Sequence, residues 1–212
     1  MPDKPSDPGA ADLSRRVRNK QRTRRALEDA ALELFAERGY DRTTIEDIAE
    51  RADVSPRTFF RYFTAKEGVV LDQWTEQPAT FRAAVAARPA GEPLLVALRE
   101  GFAQFAGREQ DGARQRMFLR NRVIGATPLL RGLGMARIGV AWREAVASAI
   151  AGRLGADEPT PEHEVLADVV MAVIARATAD WVDGGGVEPL EDLGRREFDR
   201  CASALRLLTA GS

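Results

Sequence analysis

The stretch DVSPRTFFRYFTAKE, residues 53–67, decides the fold because it holds a very short turn followed at once by the start of a helix. Ser55 is a favoured N-cap, and Pro56 suits the first helical position, where its missing N–H needs no partner. Only Asp53 and Val54 connect this helix to the preceding one. Such a turn needs a left-handed residue, usually glycine. We expect Asp53 to take that conformation, because aspartate tolerates it better than most residues do.

The preceding segment, residues 44–52, has the pattern of another short helix. Thr44 followed by Asp47 predicts a capping box, with aspartate in the place that glutamate usually takes. Ala49 is small, as is needed where two helices approach closely. Two short helices joined by so brief a turn cross steeply, and the second of them fits the major groove of DNA. The pattern therefore predicts a helix-turn-helix.

The run FFRYF within this stretch divides into two helix faces. Phe59 and Phe63 lie one turn apart and are predicted to be buried core. Arg57 and Arg61 lie on another face, with Phe60 alongside, and are predicted to point outward. Arginine can make bidentate hydrogen bonds to guanine or phosphate, and an aromatic ring can contact the methyl group of thymine. The alternative interpretation is a basic amphipathic helix in an ordinary bundle.

Basic residues are concentrated upstream of this motif. Residues 13–25, LSRRVRNKQRTRR, contain seven basic residues and no acidic one, although the net charge of the chain is −1. A local basic arm on a nearly neutral protein indicates a contact surface for an anionic partner such as nucleic acid. A solvated helix face near the chain end is the alternative interpretation.

The rest of the chain shows helical periodicity and few strand signals, so we predict an all-α protein of about nine helices. An N-terminal three-helix helix-turn-helix DNA-binding domain is expected over residues 15–65, after a disordered lead over residues 1–14. A C-terminal helical bundle is expected over residues 66–212. With 44% hydrophobic and 30% charged residues, the 212-residue chain has the composition of a folded soluble protein.

The composition argues against several kinds of site. The single cysteine, Cys201, excludes an internal disulfide framework, and together with the single histidine, His163, it argues against a structural zinc site. No apolar run is long enough to span a membrane and no signal peptide is evident, so we expect a cytoplasmic protein. No nucleophile–base pair, paired carboxylates, metal cluster or phosphate loop is recognisable, so we expect no enzyme activity, no cofactor and no metal.

Residues 31–70, ALELFAERGYDRTTIEDIAERADVSPRTFFRYFTAKEGVV, resemble the DNA-binding domain of the tetracycline-repressor (TetR) family. Three positions depart from the usual family residues. Asp53 replaces glycine, Phe60 replaces tyrosine and Tyr62 replaces histidine. Phe60 therefore lacks the hydroxyl that would bond a phosphate, whereas Tyr62 keeps a donor.

The resemblance implies that residues on and beside the second short helix contact DNA. Those implied to contact bases, or to lie next to them, are Arg57, Thr58 and Arg61, with Pro56 and Phe60 alongside. Those implied to contact phosphates are Thr44, Tyr62 and Lys66, with Ser55 capping the helix near the backbone and Arg22, Arg24 and Arg25 adding phosphate or minor-groove contacts. Phosphate contacts position such a protein and base contacts select the sequence, so the two groups should respond differently to mutation.

The resemblance also implies a homodimer whose C-terminal helices form the interface and enclose a hydrophobic effector pocket. Residues 161–182 and 189–208 are the helices expected at that interface. The candidate residues for the pocket are Trp74, Phe102, Phe105, Phe118, Arg122 and Trp142. Each aromatic ring also suits plain core, and a surface salt bridge is the alternative role for Arg122 and for its neighbour Arg120.

The implied function is a ligand-responsive transcriptional regulator, a repressor released from a palindromic operator by a small hydrophobic effector. The C-terminal part is similar, more weakly, to actinobacterial mycofactocin-type regulators through RQRMFLRNRVIGATPLLRG, residues 114–132, and the tryptophan-containing segment 135–155. That similarity would suggest an acyl-CoA or other fatty-acyl effector. A DNA-binding regulator with no small-molecule effector is the alternative.

Overall fold

The computed structural model describes residues 8–72, 77–108 and 112–209, and within these ranges it contains helices and no strand. The first four helices are α1 (Pro8–Arg38), α2 (Ile45–Arg51), α3 (Pro56–Tyr62) and α4 (Gly68–Leu71). The other seven are α5 (Gln77–Ala86), α6 (Leu94–Ala106), α7 (Ala113–Ala126), α8 (Pro128–Gly134), α9 (Val140–Arg153), α10 (Pro161–Asp183) and α11 (Leu190–Thr209). The all-α prediction is confirmed.

The described helices number eleven, where the sequence predicts about nine. One reason is the segment from Pro128 to Leu154, which the apolar pattern predicts as one long helix. In the structure a π-helical turn, Met135–Gly139, separates α8 from α9. Glycines at 132, 134 and 139 flank or end this turn, and their low helix propensity makes the change of helical pitch there inexpensive.

Helix α1 begins further upstream than the sequence predicts. It starts at Pro8, inside the segment 1–14 for which a disordered lead is expected, while residues 1–7 lie outside the described part of the chain. In its second half, Leu27, Ala31 and Phe35 have the spacing of one apolar helix face, and all three are buried.

The chain divides into two compact units, one up to Val70 and the other from Leu71 onward. This division falls a few residues beyond the predicted boundary at 65/66. The segment in question is held to the N-terminal unit by hydrogen bonds: the Lys66 ammonium donates to the backbone carbonyl of Tyr40 at 2.8 Å, and the Tyr40 hydroxyl donates to the Glu67 carboxylate at 3.4 Å.

The C-terminal unit has an aromatic core. Trp142 of α9 packs against Phe81 of α5 and Phe105 of α6, with ring centroids 5.7 and 5.2 Å apart. Phe102 of α6 joins this cluster and also contacts Phe198 of α11, at 6.1 Å. The aromatic rings therefore tie α5, α6, α9 and α11 together.

Helix α10 begins with a capping box built from a histidine. The backbone N–H of Thr160 donates to Nδ1 of His163 at 3.1 Å, and the threonine side chain caps the His163 backbone in return. Small apolar side chains are exposed along the outer side of α10, at Val165, Ala172 and Ala179, together with the charged Asp168 and Arg176. Among the described residues, no helix combines the length and the apolar character that crossing a membrane would need.

Candidate nucleic-acid interface

The turn between α2 and α3 is a complete Schellman motif. Asp53 has φ +54°, which confirms the predicted left-handed conformation. Its N–H donates to the carbonyl of Glu50 at 3.0 Å, and the N–H of Val54 donates to the carbonyl of Ala49 at 2.9 Å. These two bonds satisfy carbonyls that the end of α2 would otherwise leave unpaired. The turn is therefore fixed by backbone bonds, and it sets the direction in which α3 leaves.

The start of α2 is fixed by a capping box, as predicted. The N–H of Asp47 donates to the Thr44 hydroxyl at 3.1 Å, and the N–H of Thr44 donates to the Asp47 carboxylate at 2.8 Å. Arg38 pairs with the same carboxylate at 2.8 Å. The hydrogen bonds from Thr44, assisted by the charge of Arg38, lower the pKa of Asp47 to about 2. The Thr44 hydroxyl itself donates to Asp47 at 2.7 Å, so it is already engaged inside the protein.

The start of α3 is fixed by Ser55. Its hydroxyl accepts the N–H of Thr58 at 3.2 Å and lies 3.0 Å from the Thr58 hydroxyl. Pro56 follows at the first helical position and is exposed. Both residues behave as the capping pattern predicts, and the first turn of α3 is left facing solvent.

The inner face of α3 is held by aromatic packing. Phe59 and Phe63 are buried, with their ring centroids 5.5 Å apart, which confirms that they belong to the core. The guanidinium of Arg24 lies 5.0 Å from the centre of the Phe63 ring, and Arg24 pairs with the fully buried Glu28 at 3.0 Å. Arg24 is thus part of the support for α3 as well as part of the basic arm.

The outer face of α3 presents two cations and a ring. Arg57 and Arg61 are exposed, and the side chain of Phe60 between them is 55% exposed. Tyr62 is half-buried on the flank, where its hydroxyl accepts a hydrogen bond from Arg61 at 3.4 Å. Exposed arginines on a short, capped helix can reach base edges or phosphates.

The ammonium of Lys66 is already engaged in hydrogen bonds within the protein. Its ammonium donates to the carbonyls of Tyr40 and Thr43 at 2.8 and 2.9 Å and lies 4.0 Å from the centre of the Tyr40 ring. Burial lowers the pKa of this ammonium, while the carboxylates of Asp41 and Glu67 act in the opposite direction. An ammonium has three N–H donors, so one remains for a phosphate.

On α1, the side chains of Arg22 and Arg25 are exposed, as expected for a basic arm. Glu28 and Arg38 were not among the residues predicted from the sequence, and they support the interface from beneath through ion pairs with Arg24 and Asp47. The i, i+4 spacing of Arg24 and Glu28 was a usable signal. The pair formed by Arg38 and Asp47 joins two helices, and no local pattern reveals it.

The predicted effector residues do not form one group. Phe102, Phe105 and Trp142 come together in the aromatic core, where all three are buried. Phe118 instead packs against Trp181, with centroids 5.5 Å apart. Trp74 lies outside the described residues, so the structure does not place it.

The two arginines of the predicted effector region differ in their surroundings. Arg122 is exposed, with its guanidinium 5.9 Å from the centre of the Phe118 ring. Arg120 is buried, with only 2% of its surface exposed.

A groove of about 540 Å³ lies between α5 and α9 in the C-terminal unit. Small side chains and three arginines, Arg82, Arg88 and Arg153, line it. None of the predicted effector residues that the structure describes borders this groove. Among residues 8–72, 77–108 and 112–209, no group of histidine, cysteine and acidic side chains is arranged to hold a metal ion.

Two family models match the chain. Residues 27–72 match the model for bacterial regulatory proteins of the tetR family, and residues 88–206 match the model for the MftR C-terminal domain. The first match contains the whole α2–α3 motif. The second covers more than half of the chain.

Two curated relatives are similar over different extents. The HTH-type transcriptional regulator TcmR of Streptomyces glaucescens is 45% identical over 108 residues, which are 51% of this chain and 46% of that protein. A protein of Mycobacterium tuberculosis named as the mycofactocin biosynthesis transcriptional regulator MftR is 29% identical over 182 residues, which are 85% of this chain and 90% of that protein. The chain thus matches about half the length of the first relative and nearly all of the second.

A solved structure with the same fold is FadR of Bacillus subtilis, a transcriptional regulator crystallised in complex with stearoyl-CoA. The TM-score is 0.58 at 18% sequence identity, covering 83% of this chain and 96% of that one. At this identity the likeness concerns the fold.

Proposed function

This chain belongs to the TetR family of bacterial transcriptional regulators, and we propose that it is a repressor that binds a palindromic operator as a homodimer and is released by a small hydrophobic effector. The observation that carries the DNA-binding part is the outer face of α3. Two exposed arginines stand on a helix that a serine cap, a Schellman turn and two buried phenylalanines hold in place. A rigid cationic helix is what readout of the major groove requires.

The roles of the DNA-facing residues follow from their positions. We assign base contacts to Arg57 and Arg61, with Thr58 and Pro56 beside them at the exposed start of α3. We assign contacts with the DNA backbone to Tyr62, Ser55 and the arm residues Arg22, Arg24 and Arg25. The hydroxyl of Thr44 and the ammonium of Lys66 already make hydrogen bonds within the protein, so each can bind a phosphate only through the hydrogen-bonding positions that these bonds leave free.

A selection of binding sites from random duplex DNA, followed by binding assays with variants, tests this proposal. Arg57→Ala and Arg61→Ala should each relax the preference at one base pair of the half-site and cost about 1–3 kcal/mol there. Arg22→Ala should weaken binding to all duplexes alike and lower the slope of the salt dependence by about one. Unchanged base preference in both α3 variants would contradict the assignment.

The effector part of the proposal is supported by relatives. FadR of Bacillus subtilis, which shares this fold, is complexed with stearoyl-CoA. We therefore propose an acyl-CoA or a related fatty-acyl compound as the effector class, bound in the C-terminal unit. An effector releases DNA only as far as its affinity differs between the free and the DNA-bound protein.

Stearoyl-CoA is the first probe for this part, with free CoA as the matched control. Stearoyl-CoA should raise the unfolding temperature of the full chain and weaken operator binding, while CoA alone should do neither. Stabilisation without any loss of operator affinity would identify a ligand that is not the inducer.

A regulator with no effector remains the second candidate, and one observation favours it. Phe102, Phe105 and Trp142 are buried against one another and against Phe81, so they fill the core where the sequence predicts a pocket wall. A panel of acyl-CoAs that changes neither the unfolding temperature nor operator affinity would support this second candidate.

A further inference from the structure

The ring of Phe60 is exposed, although the two other phenylalanines of the run FFRYF are buried. Its side chain is 55% exposed, whereas Phe59 and Phe63 are 0% and 2% exposed. Leaving so much of an aromatic ring in water forgoes the stabilisation that burial would give. The exposed ring lies beside the exposed Arg57 and Arg61, so it is open to the same partner that these two cations can contact.

The ring of Phe60 is also supported from below. It meets the buried Phe59 edge to face, with centroids 5.6 Å apart and ring planes at 85°. Aromatic pairs favour this arrangement. Because Phe59 is itself fixed in the core, the support favours one orientation of the Phe60 ring, so its contact surface is preorganised before any partner arrives.

The chemistry of this ring limits what it can recognise. Phe60 carries no hydrogen-bonding group, so it cannot bond a phosphate or the polar edge of a base. It lies one turn after Arg57 and next to Arg61, on the cationic side of α3. Of the groups that B-DNA presents in the major groove, the C5-methyl group of thymine is the apolar one.

We propose that Phe60 is a specificity-determining residue that selects a thymine in each operator half-site by packing its ring on the C5-methyl group. This inference rests on the proposed binding of DNA through α3. It places an invariant thymine close to the base pairs that Arg57 and Arg61 read.

The test deletes one methyl group from the DNA and leaves every hydrogen bond in place. After a half-site has been selected from random duplexes, each thymine in it is replaced in turn by deoxyuridine. For the unmodified protein, one position per half-site should lose about fourfold in affinity, as expected for removing one methyl group from an apolar contact. The other positions should show no change.

Variants then connect that position to Phe60. Phe60→Ala should bind the thymine operator less tightly and should bind the thymine and deoxyuridine operators equally. Phe60→Tyr keeps the ring and should keep the discrimination. Arg61→Ala should bind less tightly than the unmodified protein and still discriminate between the two operators.

The outcomes separate this inference from the proposed function. A selected half-site without an invariant thymine, or equal binding of the thymine and deoxyuridine operators by the unmodified protein, overturns the role of Phe60 while operator binding stands. Discrimination that persists in Phe60→Ala overturns it as well. Failure to select any sequence overturns the proposed operator binding itself.

Discussion

The direction of α3 depends on the left-handed backbone conformation of Asp53, which residues with a side chain rarely adopt. The φ of +54° costs an ordinary L-residue about 1–2 kcal/mol, and glycine adopts it freely. Aspartate reduces this penalty through local hydrogen bonding of its short side chain. The turn is therefore a position where a small substitution should have a measurable effect.

We expect Asp53→Ala to destabilise the N-terminal unit by about 1 kcal/mol, because alanine has no polar side chain to offset the strained φ. Asp53→Gly should be at least as stable as the natural chain. Hydrogen exchange at the amides of α2 and α3 measures both changes. A loss of protection in the glycine variant as large as that in the alanine variant would show that the side chain of Asp53, and not its backbone, stabilises the turn.

Lys66 provides a second prediction at the scale of the single residue. Its two charge-assisted hydrogen bonds to the carbonyls of Tyr40 and Thr43 tie the end of the motif to the loop before α2. Lys66→Met should therefore lower the stability of the N-terminal unit by about 2–3 kcal/mol.

The matched control for Lys66 is Lys20→Met, which removes an exposed charge from α1 without removing such bonds. Both variants should weaken binding to DNA of any sequence, but only Lys66→Met should lower the urea midpoint of the N-terminal unit. Equal midpoints for the two variants would show that Lys66 acts only on phosphate.

At the scale of the element, local sequence patterns predict helix caps and buried positions well. The contacts between helices do not follow from those patterns. The caps at Thr44 and Ser55 and the buried pair of Phe59 and Phe63 are determined within one or two helical turns, so spacing is enough to find them. The ion pair between Arg38 and Asp47 and the hydrogen bonds of Lys66 join residues that are farther apart in the sequence. These contacts depend on how the helices pack. The same limit applies to the predicted effector residues, since spacing shows which rings are apolar but not which ones face each other.

The capping box of α2 gives a prediction of pH dependence. The folded pKa of Asp47, about 2, lies below the ordinary value of 3.8, so its carboxylate stabilises the fold fully above the unfolded value. This contribution should be lost as the pH falls from about 4 towards 2. Asp47→Asn should be less stable at neutral pH and should lose less stability over that acidic range. Urea unfolding at a series of pH values measures this, with Glu50→Gln, an exposed carboxylate on the same helix, as the control.

At the scale of the whole molecule, the exposed side of α10 bears on the proposed homodimer. Val165, Ala172, Ala175 and Ala179 follow one another along that side, and small side chains let a second helix approach closely. In a two-fold symmetric dimer this surface would pack against the same surface of the second copy, so every substitution on it changes both sides of the interface.

We expect Ala172→Arg to shift the chain from dimer to monomer, since the interface would then have to accommodate two long cationic side chains, one from each copy. Operator affinity should fall with it, because a monomer contacts only one half-site. Sedimentation velocity measures the state of assembly. Ala126→Arg, an exposed alanine at the end of α7, is the control and should leave the mass unchanged. A dimeric Ala172→Arg variant would place the interface elsewhere.

The capping box at the start of α10 also provides a natural spectroscopic probe. The sequence contains one histidine, and that residue accepts the Thr160 N–H through its ring nitrogen. Every imidazole resonance in an NMR spectrum of this protein therefore reports on the first turn of α10, with no label and no substitution. Movement of that turn when an effector or an operator is added can be followed directly from a single chemical shift.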